Sequence, residues 1–206
     1  SDSELDLSFF GERSRDGGFA LNFLEDVPAF GITGLRNESH QISQDFEGLA
    51  NRDVLSPSLV WRVLGDSQDF TSVSSYERWE VLELSDFDST PVDGVRRRSE
   101  EEQSYFYQEL RLGTASAERG ERLSWQVGAS GYLSDGERTA ANTLRPGGAG
   151  IFFPPGSEGT DQTTGDFDDL GWALFGQASV PFGGDFALEA GLRYDREERE
   201  VDAAHT

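Results

Sequence analysis

The stretch that decides the fold is Trp172-Ala-Leu-Phe-Gly-Gln-Ala-Ser-Val-Pro-Phe-Gly-Gly-Asp-Phe-Ala-Leu-Glu-Ala-Gly-Leu-Arg-Tyr-Asp195. In each half, apolar residues recur at every second position, which is the period of a β-strand. The segment Pro181-Phe-Gly-Gly-Asp185 between the halves is rich in glycine, which adopts the backbone angles of tight turns. The stretch therefore predicts a β-hairpin with one apolar and one polar side.

The same alternation recurs along the chain, and no sustained helical periodicity competes with it. The register of one segment stays open, because Val73, Trp79 and Val81 favour one side and Tyr76 the other. A β-bulge is one explanation. The predicted strands are Glu4–Arg13, Ser58–Val63, Phe70–Leu82, Phe106–Leu112, Leu123–Leu133, Trp172–Val180 and Phe186–Asp195.

The connections between these strands alternate between long and short. The long ones, Ser14–Asp53, Leu84–Gln103 and Ser134–Asp169, hold most of the Gly, Pro, Asp and Ser. Outer-membrane barrels have long loops on one rim and short turns on the other. We therefore predict an all-β, antiparallel up-and-down meander: a partial transmembrane β-barrel, about seven strands of a larger barrel, with long extracellular loops. Aromatic residues near strand ends are candidates for interfacial girdles: Trp61, Trp79, Tyr105, Trp172 and Tyr194.

Charge and composition exclude several functional classes. The formal net charge is −22, with 39 acidic against 17 basic residues, so nucleic acid is not an expected partner. The chain has no Cys and no Met. It contains neither a signal peptide nor an apolar run of the ~20 residues that a membrane helix needs. Since bacterial barrels start at about eight strands, we expect residues 1–206 to be an internal fragment of a barrel, without a plug domain.

The hairpin sequences resemble those of TonB-dependent receptors. Phe106-Tyr-Gln-Glu-Leu-Arg-Leu112 followed by Trp125-Gln-Val-Gly-Ala-Ser-Gly-Tyr132 is similar to one recurring segment of that family. Trp172-Ala-Leu-Phe-Gly-Gln-Ala-Ser179 followed by Leu188-Glu-Ala-Gly-Leu-Arg-Tyr-Asp-Arg-Glu197 is similar to a second one. Upstream, Phe70-Thr-Ser-Val-Ser-Ser-Tyr-Glu-Arg78 resembles a family strand. The motifs keep the family's order and spacing across residues 57–200.

The resemblance implies a barrel of about 22 strands with a plugged lumen in the bacterial outer membrane. It further implies energised uptake of a large scarce nutrient, most often a ferric siderophore, and no enzymatic activity. The implied partners are outer-membrane lipid, the receptor's own plug domain, TonB and the siderophore-like ligand. Two alternatives stay open: an unplugged porin-type protein, and a secreted β-sandwich adhesin or carbohydrate-binding module.

Two sets of side chains are candidates for binding. The alternation places one set on the polar side, facing the lumen or plug: Tyr107, Glu109, Arg111, Gln126, Gln177, Glu189 and Arg193. The other set is the basic run Arg96, Arg97 and Arg98, expected in an outer loop where it would contact an anionic ligand. The alternative role for this run is local charge balance against Glu100–Glu102.

No catalytic, cofactor or metal site is expected. Asp86, Asp88 and Asp93-Gly94 are weak candidates for a calcium loop, because hard cations prefer clustered carboxylates, and a second weak candidate set is Asp161, Asp166, Asp168 and Asp169. Gly183-Gly-Asp-Phe186 matches a diguanylate-cyclase signature only in part and lies in a turn. The two histidines, His40 and His205, are far apart in sequence and offer little for a metal site or a catalytic triad.

Overall fold

The fold is a single sheet of seven antiparallel strands joined as an up-and-down meander. The computed structural model describes residues 2–19, 42–115, 123–151, 153–182 and 186–206. Each strand pairs with its neighbours in sequence, so the sheet order equals the chain order. The strands are β1 (Asp2–Asp16), β2 (Leu49–Leu64), β3 (Gln68–Asp86), β4 (Val95–Thr114), β5 (Ser124–Leu144), β6 (Gly159–Pro181) and β7 (Ala187–His205).

The seven-stranded antiparallel fold confirms the sequence prediction, and the register of β3 is now fixed. The β3–β4 ladder runs without interruption from Gln68–Thr114 to Asp86–Arg96. The β2–β3 ladder keeps one offset on both sides of Pro57. The predicted bulge is therefore wrong: Val73, Trp79 and Val81 lie on one side of a regular strand.

The strands are longer than the alternation predicted. Strand β4 begins at Val95, inside a segment expected to be a loop, and β5 and β6 extend through much of the loop predicted for Ser134–Asp169. Strands β3 to β6 contain 19, 20, 21 and 23 residues, whereas a membrane strand needs ~9–11. Both sides of the added segments are polar, so pairing continues there without apolar alternation.

The connections lie at two rims. Of the described residues, the loop rim carries 17–19, 42–48, 87–94, 145–151 and 153–158, and the turn rim carries 65–67, 115, 123, 182 and 186. Because β3 and β4 extend so far, the connection 87–94 is about as short as 115–123. The strict alternation of long and short connections is therefore wrong at this point, although the meander that it suggested is correct.

The two sides of the sheet differ in chemistry. The outer side carries an apolar band across the strands, with Leu7, Leu110, Leu174 and Leu192 exposed by 76%, 44%, 55% and 82%. The inner side is polar and more enclosed: Glu109 is only 7% exposed.

Two further predictions change with the register. Trp61, Trp172 and Tyr194 lie on the outer side as expected for a girdle, but Trp79 and Tyr105 lie on the inner side, because their ladder partners Gln103 and Ser134 lie there. The β-sandwich alternative is also not supported, since the strands described here form one sheet and not two packed sheets.

Within the ranges given above, the structure contains no helix that is long and apolar enough to cross a membrane.

Candidate functional site

The polar inner side gathers the residues that the sequence singled out for the lumen. Strands β4, β5, β6 and β7 are adjacent, and their registers place all seven on this side. They form two groups at different heights along the strands. The residues are Tyr107, Glu109, Arg111, Gln126, Gln177, Glu189 and Arg193.

The first group is centred on the Glu109 carboxylate. The Tyr107 hydroxyl donates to Glu109 Oε2, and Arg111 Nε donates to Glu109 Oε1. The three residues lie at alternate positions of β4, so their side chains point to the same side. Because Glu109 is buried by its neighbours, these two charge-assisted contacts compensate for the lost hydration of the carboxylate.

Arg193 joins this group from across the sheet. Its guanidinium lies over the Phe175 ring, 5.5 Å from the centroid, and forms an ion pair of 2.7 Å with Asp195. The Phe175 ring in turn covers Gly128, where an added Cβ would lie 2.3 Å from Phe175 Cζ. Glycine at position 128 therefore lets an aromatic ring lie on the wall between Arg111 and Arg193, which occupy the same cross-strand row.

The second group lies near the turn rim. Gln126 and Gln177 are direct partners in the β5–β6 ladder, and Glu189 is the ladder partner of Ser179. The hydroxyl of Ser179 donates to Glu189 Oε1 at 3.5 Å. These amides and this carboxylate line a shallow depression of about 290 Å³, and they are suited to hydrogen bonding with a polar segment.

The seven residues predicted from the sequence do not include one aromatic pair on the inner side. The rings of Tyr105 and Tyr132 lie nearly parallel, with centroids 5.5 Å apart. Next to them, Arg199 binds the Asp169 carboxylate through Nε at 2.6 Å and Nη2 at 3.3 Å. The alternation already assigned Tyr132 to the polar side. For Tyr105 the available signal was its position two residues before Tyr107.

The run Arg96–Arg98 is not a loop patch, and that placement is wrong. These residues belong to β4, where alternation sends Arg96 and Arg98 to the outer side and Arg97 to the inner side. Arg98 pairs with Glu100, and Arg97 lies over the Phe87 ring at 5.7 Å. Arg96 Nη2 contacts Asp45 and Asp93, each at 2.9 Å. Acidic neighbours thus compensate two of the three charges, but only the Arg98–Glu100 pair belongs to the balance expected against Glu100–Glu102.

The acidic candidates are not gathered into one cluster of carboxylates. No group of three or more His, Asp and Glu with a metal-binding arrangement occurs in the described part of the chain. The Asp88 carboxylate is occupied by the backbone N–H groups of Thr90 and Val95, which it holds in the 87–94 turn.

The second acidic set and the remaining motifs have separate positions. Asp166 and Asp168 project from β6 to the outer side and Asp161 and Asp169 to the inner side, because β6 extends through that segment. His205 contacts Asp161 at 3.2 Å at the loop rim. His40 and positions 183–185 of the Gly-Gly-Asp-Phe motif lie outside the described residues.

A comparison with protein families matches this arrangement. The family described as "TonB dependent receptor-like, beta-barrel" matches residues 3–206. The chain belongs to this family. No curated protein matches the sequence significantly.

Membership of this family suggests what each side of the sheet contacts. In transmembrane β-barrels an apolar outer side contacts lipid and a polar side faces the interior, and the sheet of this chain has one side of each kind. The family is one of transporters and not of enzymes. Barrels of the family lie in the outer membrane of Gram-negative bacteria.

Proposed function

We propose that the protein is an outer-membrane receptor that takes up a scarce nutrient of the ferric siderophore class with energy supplied through TonB. The observation that carries the proposal is a family match over residues 3–206 on a sheet with one lipid-like and one polar side. In this proposal the chain supplies barrel wall. The edges at β1 and β7 pair with further strands of the barrel, because backbone groups exposed to lipid need partners.

The seven inner-side residues form the surface that meets the plug domain or the passing cargo. Glu109 and Arg111 are already paired with each other, so they present a fixed pattern of donors and acceptors. Gln126, Gln177 and Glu189 offer groups that can bind polar backbone. A polar wall whose arginines are largely paired supports hydrogen bonding to a plug that has to be remodelled during transport.

The charge of this wall bears on the cargo. Acidic partners accompany six inner-side arginines: Arg52, Arg62, Arg111, Arg138, Arg193 and Arg199. Among the described inner-side arginines, Arg97 alone has an aromatic partner and no ion pair. A polyanionic cargo needs uncompensated cations. We therefore propose a ferric complex of low net charge, such as a hydroxamate chelate, over a highly anionic tris-catecholate.

Uptake by intact cells tests this function. A strain lacking the gene should lose uptake of radioactive iron from a ferric hydroxamate, and the gene should restore uptake only when TonB is present. A ferric tris-catecholate serves as the matched cargo of high negative charge, and we expect it to be taken up equally by both strains. Unchanged uptake of both chelates would remove the siderophore proposal.

A cargo-independent test separates the receptor proposal from the choice of nutrient. The full receptor should fractionate with the outer membrane and bind the purified periplasmic domain of TonB. The porin-type alternative predicts the same membrane location without TonB binding, and it also predicts an ion conductance in planar bilayers. The family match supports the plugged receptor over the porin.

A further inference from the structure

Three segments are tied together at the loop rim. The backbone N–H of Asp45 donates to the Thr90 carbonyl at 3.2 Å, which joins segment 42–48 to the 87–94 turn. The backbone N–H of Arg145 donates to the Gly94 carbonyl at 2.7 Å, and its Nε lies 3.3 Å from the Asp93 carboxylate. The first, third and fifth connections of the meander thus meet at this rim.

Arg96 is the side chain that holds segment 42–48 in place. Its Nη2 contacts the carboxylates of Asp45 and Asp93, and its guanidinium carbon lies 4.6 Å from the centroid of the Phe46 ring. The guanidinium therefore joins the β3–β4 turn to the segment that precedes β2. Without this contact, the Asp45–Thr90 backbone bond and the packing of Gly48 against Leu84 would remain.

Asp86 lies directly opposite Arg96 in the β3–β4 ladder, on the same side of the sheet. Its side chain is buried, with the residue only 2% exposed, and Oδ1 accepts the Ser89 backbone N–H at 3.0 Å. Its Oδ2 has no partner, and neither does the buried Nε of Arg96. A buried acceptor and a buried donor on paired residues are thus both unsatisfied, which is costly and rare in proteins.

We propose that Asp86 and Arg96 form a pH-sensitive latch, in which ionised Asp86 draws the Arg96 guanidinium away from Asp45 and so loosens segment 42–48 at the loop rim. When Asp86 is neutral, Arg96 stays on Asp45 and Asp93, as in the structure. When Asp86 is ionised, its buried carboxylate needs a cation, and the unsatisfied Arg96 Nε lies across the ladder.

The surrounding charges favour this exchange. Burial raises the pKa of Asp86 to about 6, and the negative charges of Asp88 and Asp45 act in the same direction, whereas the backbone N–H groups of Ser89 and Asp45 lower it. Asp93 and Arg145 complete the charged groups that face the pair from the neighbouring turns. Ionised Asp86 therefore repels the Asp45 carboxylate as it attracts Arg96, and both effects weaken the side-chain contact between Asp45 and Arg96. The mechanism is independent of which cargo the receptor carries.

Hydrogen exchange on the full receptor in detergent tests the latch. After correction for intrinsic exchange rates, peptides covering 42–48 should exchange at least about fivefold faster at pH 7.5 than at pH 5. The Asp86→Asn variant, which mimics the neutral acid, should stay protected at both pH values. The Asp45→Asn variant should be unprotected at both. Asp135 is an outer-side residue of β5 that lies farther from the loop rim. The Asp135→Asn variant is the matched control and should behave as the wild type.

Two results would overturn the latch. One is wild-type protection that does not change between pH 5 and 7.5 in receptor that keeps its heat-modifiable mobility. The other is an Asp86→Asn variant with the same pH response as the wild type. If hydrogen exchange in 42–48 responds to added Ca²⁺ and not to pH, the carboxylates bind an ion. That result would also refute the proposed switch of Arg96 from Asp45 to Asp86. TonB binding, measured on the same preparations, shows whether the receptor proposal survives either result.

Discussion

The Tyr132 ring lies over Gly171 of the neighbouring strand, where an added Cβ would be 2.2 Å from Tyr132 Cε1. The two residues are direct partners in the β5–β6 ladder. Glycine in a strand interior weakens the strand because it has no side chain to pack. An aromatic ring from the neighbouring strand covers the exposed backbone and supplies the missing contacts.

We therefore expect Gly171→Ala to destabilise the barrel by about 1–3 kcal/mol, the usual range for overpacking a fixed site. Gly131→Ala is the matched control on the same pair of strands. Its nearest atom would be the Gly171 carbonyl oxygen at 3.4 Å, so a methyl group fits more easily. Urea unfolding of the purified receptor, followed by tryptophan fluorescence, measures both variants. Equal stability of the two variants would contradict the close approach of Tyr132.

Removal of the Glu109 side chain should destabilise the wall. Glu109→Ala leaves Arg111 and the Tyr107 hydroxyl without the carboxylate that they share, and such a loss typically costs about 1–3 kcal/mol. The double variant with Arg111→Ala should cost less than the sum of the two single changes. Glu189→Ala, at an exposed position of β7, is the control and should leave unfolding nearly unchanged. Additive effects would show that the pair does not interact.

A row of acidic residues crosses the outer side of the sheet between the apolar band and the loop rim. Ladder partners place like charges directly opposite one another on adjacent strands, which is unfavourable. The central member, Glu137, lies between Glu102 and Asp166. The full row is Asp53, Glu80, Glu102, Glu137, Asp166 and Asp202.

Glu137→Gln should therefore raise stability, and more so at low salt than at high salt, because exposed charges are screened within about 10 Å at 0.1 M salt. The thermal midpoint of the receptor at two salt concentrations measures the effect. Asp169→Asn provides the comparison. It removes an ion pair with Arg199 and should lower stability or leave it unchanged. A salt-independent response of Glu137→Gln would argue against repulsion along the row.

The Asp86 carboxyl should also make overall stability depend on pH. Because its pKa is raised in the folded protein to about 6, the folded state binds the proton more tightly than the unfolded state does. This contribution is present below pH ~4, and it declines as pH rises through 6. Asp86→Asn should therefore stabilise the receptor relative to the wild type above pH 6 and not at pH 4. Thermal midpoints at pH 4, 5, 6 and 7 give the comparison, and parallel curves would exclude Asp86 as the titrating group.

A cation in the apolar band should block assembly. Leu174 lies in the row Leu110–Ala129–Leu174–Tyr194 on the outer side, and an arginine in the lipid-facing centre of a barrel costs about 2–4 kcal/mol. Leu174→Arg should thus reduce the amount of heat-modifiable receptor in the outer membrane. Thr164→Arg, on the same side of β6 but closer to the loop rim, should assemble normally. Equal assembly of both variants would show that Leu174 does not face lipid.

Much of the fold could be predicted from the sequence, because alternation at period 2 records which residues face an apolar surface. The hairpin at 172–195 and the sides of the seven inner-side residues could be predicted from alternate positions alone, since successive side chains of a strand point to opposite sides. The family resemblance added the barrel. Alternation did not predict the parts of β4, β5 and β6 that lie nearest the loop rim. Both sides of these strands are polar there, so no apolar pattern marks a paired strand.

Tertiary structure alone decided which residues meet across strands. The register brings Asp86 opposite Arg96 and lays Tyr132 over Gly171, and neither relationship leaves a periodic trace in the sequence. It also divides Arg96–Arg98 between two sides, although the run suggests a single patch. The physical reason is that alternation depends on position within one strand, whereas pairing depends on the offset between two strands. The sequence alone determined the sides of the sheet, and only the ladder of backbone hydrogen bonds determined the neighbours.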